Sequence, residues 1–233
     1  MIILGIETAT QQVGCAIGGV EGLLASFHAA RGRRHAETLV PAIEFVCRTA
    51  RIELREVSVV AADIGPGLFT GLRVGIATAK SLAQALRVPV IGFSSLDLLA
   101  HQVRHSSRLI VPVVDARRGE VFSAFYRHVP GGVQRLSEPR VGTADELAND
   151  LLARREEALL VGDGALRYAG VLSDDLGFVE LGTVGTQWPS ATDLVELAHP
   201  RALREEFVQP WELAPMYLRK ADAEINWATR ESA

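Results

Sequence analysis

Asp63-Ile64-Gly65-Pro66-Gly67-Leu68-Phe69-Thr70-Gly71-Leu72-Arg73-Val74-Gly75 is where an apolar run stops and an amphipathic one begins. Before it, Val57 to Ile64 has the composition of a buried strand. After it, Leu72, Gly75, Ile76, Ala79, Ala83 and Leu86 recur at helical spacing. The pattern is strand, tight loop, helix. Glycine permits backbone angles that a β-carbon forbids, and it lets another backbone or a ligand come close. In α/β proteins ligands gather at the carboxyl end of a strand and the amino end of a helix, but a loop there can also be a plain connection. Thr70 is placed to cap the helix, and Arg73 and Lys80 are the nearby cations. No Lys-Ser/Thr pair ends the loop, which excludes a phosphate loop of the Walker type.

Working outward, Ile2–Ile6, Val13–Ile17 and Gly22–His28 read as three strands, the last two linked by a glycine-rich turn. A helix is predicted from about Ala36 to Arg51, with Leu39, Val40, Ile43, Val46, Cys47 and Ala50 at helical spacing. Pro41 suits only its first turn, or else kinks it. Past the Gly-Pro-Gly helix come a short strand, Pro89–Gly92, and a helix, Ser95–Arg104. The second half repeats this opening: strands Leu109–Asp115, Val121–Arg127 and Val133–Pro139, a helix Ala144–Arg154, and a strand Ala158–Gly162 running into Gly162-Asp163-Gly164. Two such units in tandem indicate duplication. Three strands followed by crossover helices is the order of ribonuclease-H-like domains, the half-units of the actin, sugar-kinase and chaperone ATPase group. The expected fold class is therefore α/β, two ribonuclease-H-like domains. The expected domains are 1–105 and 106–200, with a tail, 201–233, packing back on the first and fraying after about Ile225.

The chain has 233 residues and 48% hydrophobic content, enough for a packed core. A net charge of -4 provides no global basic field for nucleic acid. Trp188, Trp211 and Trp227 are scattered, without the basic-aromatic interleaving that binds single-stranded RNA. Cys15 and Cys47 sit in apolar patterns and read as buried reduced thiols. No apolar run approaches the ~18 residues of a membrane span. Met1–Ile6 reads as a first strand, with no basic leader, so a cytoplasmic location is expected.

Glu7 and Asp115 each end the first strand of a unit, where ATPases of this fold hold a magnesium nucleotide. Thr8-Ala9-Thr10 is not followed by a clear glycine-rich phosphate hairpin, so independent ATP hydrolysis is not expected. Glu7, Thr8, Gly65, Gly67 and Asp115 are candidates for a vestigial nucleotide site. His35 and Glu37 head a helix without a third metal ligand, and Glu37 suits the helix dipole alone. The run Asp115 to Glu120 reads as a charged hairpin turn that either serves solubility or touches a partner. Both long helices are apolar on more than one side. The extra faces are an interface, or they pack on each other or on the tail.

Several segments together resemble the bacterial TsaB (YeaZ) family of tRNA threonylcarbamoyladenosine biosynthesis proteins. They are Ile3–Thr10, Arg34–Pro41, Gly65–Gly75 with Ala79–Ala83, Gly92–Asp97, Asp115–Phe122 and Pro215–Arg219. The family usually has aspartate where Glu7 stands. Its catalytic relative TsaD carries two metal-binding histidines in a segment that matches Gly92–Leu99, and those positions hold Ser95 and Leu99 here. A hydroxyl and an isobutyl group do not replace imidazoles on a divalent metal. The resemblance thus implies a non-catalytic subunit with no metal or cofactor of its own. ATP or ADP and a metal are expected on partner subunits or at their boundary. It would bind TsaD, and TsaE through the assembly. The assembly moves a threonylcarbamoyl group from threonylcarbamoyl-adenylate to the adenosine beside the anticodon, in tRNAs that read codons beginning with A. The tRNA would be touched only indirectly, and a homodimer stays open. The resemblance favours the interface reading of the helical surface, assigned to His35, Thr38, Ala42, Phe45, Thr70, Arg73, Val74, Ala77 and Ser81. The rival is a small enzyme of the same fold, an ATP-using kinase or a metallopeptidase.

Overall fold

The computed structural model describes residues 1–30, 34–174 and 176–219. Strands β1 (Ile2–Glu7), β2 (Val13–Gly19) and β3 (Gly22–Ala29) form an antiparallel meander. Helix α1 (His35–Ala50) leads to β4 (Val57–Gly65), parallel to β1. Helix α2 (Phe69–Leu86) leads to β5 (Val90–Ser94), parallel to β4. The sheet order is β3-β2-β1-β4-β5.

Helix α3 (Ser95–Gln102) carries the chain into the second unit. There follow β6 (Leu109–Arg117), β7 (Glu120–Ser123), β8 (Tyr126–Val129), β9 (Gly132–Arg135), β10 (Arg140–Thr143), α4 (Ala144–Arg154), β11 (Ala158–Val161), α5 (Asp163–Arg167), α6 (Ala169–Leu172) and β12 (Val179–Leu181). The second sheet runs β10-β7-β6-β11-β12, with β8 and β9 attached through β6. Place for place this is the connectivity of the first sheet, so the duplicated ribonuclease-H-like architecture is real.

One predicted strand of the second unit is divided and another is cut short. Val121–Arg127 breaks at Ala124-Phe125, where the chain changes partners: β7 pairs with β10, and β8 pairs with β9. Val133–Pro139 stops at Arg135, and a separate β10 follows. The turn between β6 and β7 is a two-residue loop, Arg118-Gly119, with both residues at positive φ (58° and 81°). That form matches the twist of the flanking strands.

The period of β1 explains its unbroken apolar run. Leu4 and Ile6 face α1 and α2, packing with Leu39, Ile43, Val46, Ile76 and Ala79. Ile3 faces the other way, onto Ala191, Leu194, Val195 and Ala198. A strand buried on both faces reads as a continuous apolar run. The second covering layer is α7 (Ala191–Leu203), capped by the Ser190 hydroxyl accepting from the Thr192 N–H. Residues 191–200 are expected in the second unit, yet their helix packs on the first sheet. Pro41 sits inside α1 beyond the first turn, on its exposed side, and leaves the Glu37 carbonyl without its helical donor.

After α7 the chain returns along the first unit. Val90 and Val208 exchange backbone hydrogen bonds of 3.1 and 2.9 Å, and the Met216 N–H donates to the Ile64 carbonyl at 2.7 Å. Leu213 joins the core beside Ile64. The expected fraying near Ile225, and Trp227, lie outside the described residues. Cys15 and Cys47 are both buried and unbridged, and burial pushes the Cys15 thiol up to about 12. No helix among the described residues is long and apolar enough to cross a membrane.

Candidate functional site

The first strand and the Gly-Pro-Gly strand end side by side, since Ile6 pairs with Ala62 in parallel register. Glu7 and Asp63 follow, and both side chains are buried. Glu7 Oε1 accepts the Ala9 N–H at 2.8 Å. Asp63 Oδ1 accepts the Gly65 N–H and the Ser95 hydroxyl, both at 2.7 Å. The second oxygens, Glu7 Oε2 and Asp63 Oδ2, have no hydrogen-bond partner among the described residues. Burial disfavours the charged form of each. It raises Glu7 well above the carboxylate range, with the Asp63 charge adding to the effect. Burial also pushes Asp63 up to about 7, against the two hydrogen bonds it accepts. At neutral pH the pair therefore holds at least one proton.

Thr8, Gly65 and Gly67 surround this pair, and the backbone here is closed on itself. The Leu68 N–H donates to the Ala9 carbonyl at 2.6 Å, and the Thr8 hydroxyl to the Gly71 carbonyl at 2.8 Å. A β-carbon on Gly67 would lie 2.1 Å from the Ala9 oxygen, and one on Gly71 would lie 2.1 Å from the Thr8 oxygen. These glycines seat α2 against residues 8 and 9. Gly65, at φ 101°, needs its missing side chain for the turn itself. The amides of Ala9, Gly65 and Leu68 that could cradle a phosphate are each taken by a group of this chain. These amides are engaged within the chain, and the Gly-Pro-Gly loop packs closely against residues 8 and 9.

Asp115 does not join this group. It sits at the matching position of the second unit, beside Asp163, the first residue of α5 just past β11. The Asp163 carboxylate accepts the Asp115 N–H at 3.0 Å, and burial raises Asp163 to about 6. Unlike the first pair, this one has cations. Arg117 lies 3.0 Å and Arg167 3.5 Å from Asp115 Oδ2, and the Tyr168 hydroxyl donates to Oδ1 at 3.1 Å. Asp63 and Asp163 were missed from sequence. The available signal was an acid near the end of the strand that parallels each first strand.

The outer side of α1 and α2 is where the predicted interface residues divide. Phe45 is 44% exposed and Val40 52%. Thr70, Arg73, Ala77 and Ser81 are exposed, and Thr38 and Val74 half-buried. His35 and Ala42 are not on this surface. Ala42 faces the sheet with Leu39 and Ile43. The His35 ring is buried, with Nε2 2.8 Å from the Thr10 carbonyl. Thr70 is no cap either, because the helix begins at Phe69 with Leu68 as its capping residue. Phe45 meets Phe27 edge to face at 6.1 Å. Arg73 lies over the Phe69 ring at 3.8 Å and donates to the Tyr217 hydroxyl at 3.3 Å, and Lys80 donates to the Trp211 carbonyl at 3.4 Å. Both helix cations hold the returning tail.

Residues 5–167 match the family described as "TsaD: tRNA N6-adenosine threonylcarbamoyltransferase". The chain is 30% identical to the tRNA threonylcarbamoyladenosine biosynthesis protein TsaB of Bacillus subtilis, over 97% of this chain and 98% of that one. The chain belongs to the TsaB family. The Escherichia coli protein of the same name is 28% identical over 94% and 95% of the two chains. The solved structure of YeaZ from Pseudomonas aeruginosa superposes with a TM-score of 0.82 at 26% identity, covering 93% of this chain and 99% of that one. A 2-hydroxyglutaryl-CoA dehydratase component from Acidaminococcus fermentans shares the fold at a TM-score of 0.52 and 13% identity, over 87% and 99%. The two positions set against TsaD histidines have structural duties here. Ser95 donates to Asp63, and Leu99 is fully buried beside Leu96, Ile110 and Val161.

Proposed function

We propose that this chain is a non-catalytic scaffold and activator subunit in the formation of threonylcarbamoyladenosine beside the tRNA anticodon. It binds TsaD through the outer side of α1 and α2, and TsaE through the assembly. TsaD supplies the catalytic metal, and ATP or ADP sits on the partners or at their boundary. Contact with tRNA is indirect, and the setting is the cytoplasm. The observation that carries this reading is the closed phosphate region: the amides of Ala9, Gly65 and Leu68 bond within the chain, and among the described residues no ion pair reaches the acid pair beside them. The names of its TsaB relatives support the pathway. Activation would come from binding the active arrangement of TsaD more tightly than the inactive one, since only differential affinity shifts a population.

The test is reconstitution with TsaD, TsaE, tRNA, ATP and threonylcarbamoyl-adenylate, with and without this chain. Product is expected only in its presence, and this chain alone is expected to make none. Equal product yield without it overturns the proposal, and turnover by this chain alone turns it toward an enzyme of the same fold.

A further inference from the structure

Helix α3 takes the chain from the first unit to the second, and α7 brings it back. Where they meet stand three residues outside the site described above: His101 near the end of α3, and Asp193 and Glu196 in the first turns of α7. His101 Nε2 lies 3.1 Å from Glu196 Oε2 and 3.9 Å from Asp193 Oδ1. One ligating atom from each residue falls within 4.8 Å of the other two. Around a tetrahedral zinc, donor atoms stand roughly 3.4 Å apart. We propose that His101, Asp193 and Glu196 bind a divalent transition ion of the zinc type, which braces α3 against α7.

The charge balance of the cluster points the same way. Asp193 is buried, and its nearest cationic candidate, the His101 ring, is beyond hydrogen-bond reach at 3.9 Å. The Gln102 amide is a hydrogen-bonding neighbour, and that amide also donates to the Trp188 carbonyl at 2.8 Å. Buried charges are normally paired or bound to metal. Imidazole with two carboxylates suits zinc, nickel or manganese, and the nitrogen ligand disfavours magnesium. The Glu196 side chain is 45% exposed, so water can complete the coordination from that side.

Three neighbours limit the affinity. Arg104 lies 3.3 Å from Glu196 Oε2 and is anchored on the His101 carbonyl at 3.1 Å, where it repels a cation. His105 adds positive potential when protonated. Coordination through Nε2 also puts the ring proton on Nδ1, which is buried without an acceptor. An oriented second nitrogen is worth about ten- to a hundredfold in metal affinity, so micromolar binding is expected. Ser95, at the opposite end of α3, holds Asp63. This ion would brace α3 against α7, and it is distinct from the metal assigned to TsaD under the proposed function.

The experiment is calorimetric titration of the full chain, stripped with EDTA, using zinc chloride, with magnesium chloride as control. Expected are one equivalent of zinc, no magnesium, and a higher melting temperature with zinc. Asp193→Asn and Glu196→Gln should each weaken binding roughly tenfold or more. Arg104→Gln should tighten it, because it removes the competing cation. Circular dichroism establishes that each variant is folded. Should Asp193→Asn fail to fold, the more exposed Glu196→Gln and Arg104→Gln carry the test. No saturable zinc binding below about 0.1 mM, or equal binding by the wild type and by these variants, overturns the proposal.

Discussion

Thr8 Oγ1 occupies the space that a side chain at residue 75 would need: a β-carbon on Gly75 would stand 2.2 Å from it. The same hydroxyl donates to the Gly71 carbonyl. With Gly67 and Gly71, this makes a ridge of bare backbone, one residue every four, down the side of α2 and its entry loop. The glycines in the deciding stretch of sequence serve this contact.

Gly71→Ala tests the contact most directly, because its β-carbon would meet the Thr8 carbonyl oxygen at 2.1 Å. Backbone oxygen cannot rotate away as a side chain can. Overpacking of this kind costs roughly 1–3 kcal/mol, and the upper end is expected here. Urea unfolding measures it. A midpoint equal to wild type would mean that α2 is not held at that distance.

The buried acids set a pH dependence with a definite sign. Folding raises the Asp63 pKa from 3.8 to about 7, so the native state holds a proton that the unfolded chain has released. The contribution of the protonated acid is full below about pH 4 and is lost as pH rises toward 7. Glu7 moves in the same direction. Asp63→Asn keeps an acceptor for Gly65 and Ser95 and removes the titration. It should stabilise the protein at pH 8 and flatten the slope of melting temperature between pH 5 and 7. Thermal melts across that range decide it: an unchanged slope would show that Asp63 titrates normally.

Phe45→Asp and Val74→Asp should each weaken capture of TsaD by roughly tenfold or more, as for a central interface residue. Thermal melts would show the fold retained, because both positions reach the surface. His35→Ala is the contrasting change. It removes a buried contact to Thr10 and should lower stability while leaving TsaD affinity of the folded protein intact. If both charged variants bind TsaD normally, the partner surface lies elsewhere. Light scattering on the same variants reports whether a homodimer uses this face.

The tail divides into an anchor and an exposed ring. Leu213 is buried in the first core, and Leu213→Ala should cost about 2–4 kcal/mol. Trp211 is 75% exposed and holds Lys80 only through its backbone carbonyl, so Trp211→Ala should leave stability within about 0.5 kcal/mol. Denaturant titration separates the two, and equal effects would contradict the packing of the tail.

The long, strongly patterned elements were legible. Continuous apolar runs gave β1 and β4, and helical spacing gave α1 and α2. The tandem order gave the duplicated fold. What was not legible depended on non-local choices. Nothing local tells Ala124-Phe125 to change sheet partners, and nothing in Ala191–Leu203 names the sheet it covers. For the surface, helical spacing misassigned His35 and Ala42. The first turns inward to a carbonyl twenty-five residues away in sequence, and the second lies at the margin of the apolar stripe, where alanine suits either side. Asp63 was passed over because a single acid before a glycine turn looks like a solvated residue until its neighbour on the next strand is known.

The glycine ridge has a mechanical consequence. With no side chains between them, the front of α2 and the peptide units at residues 8 and 9 behave as one rigid piece. Any protein that grips the outer flank of this helix therefore grips the turn beside Glu7 as well, and displacement of either displaces the other.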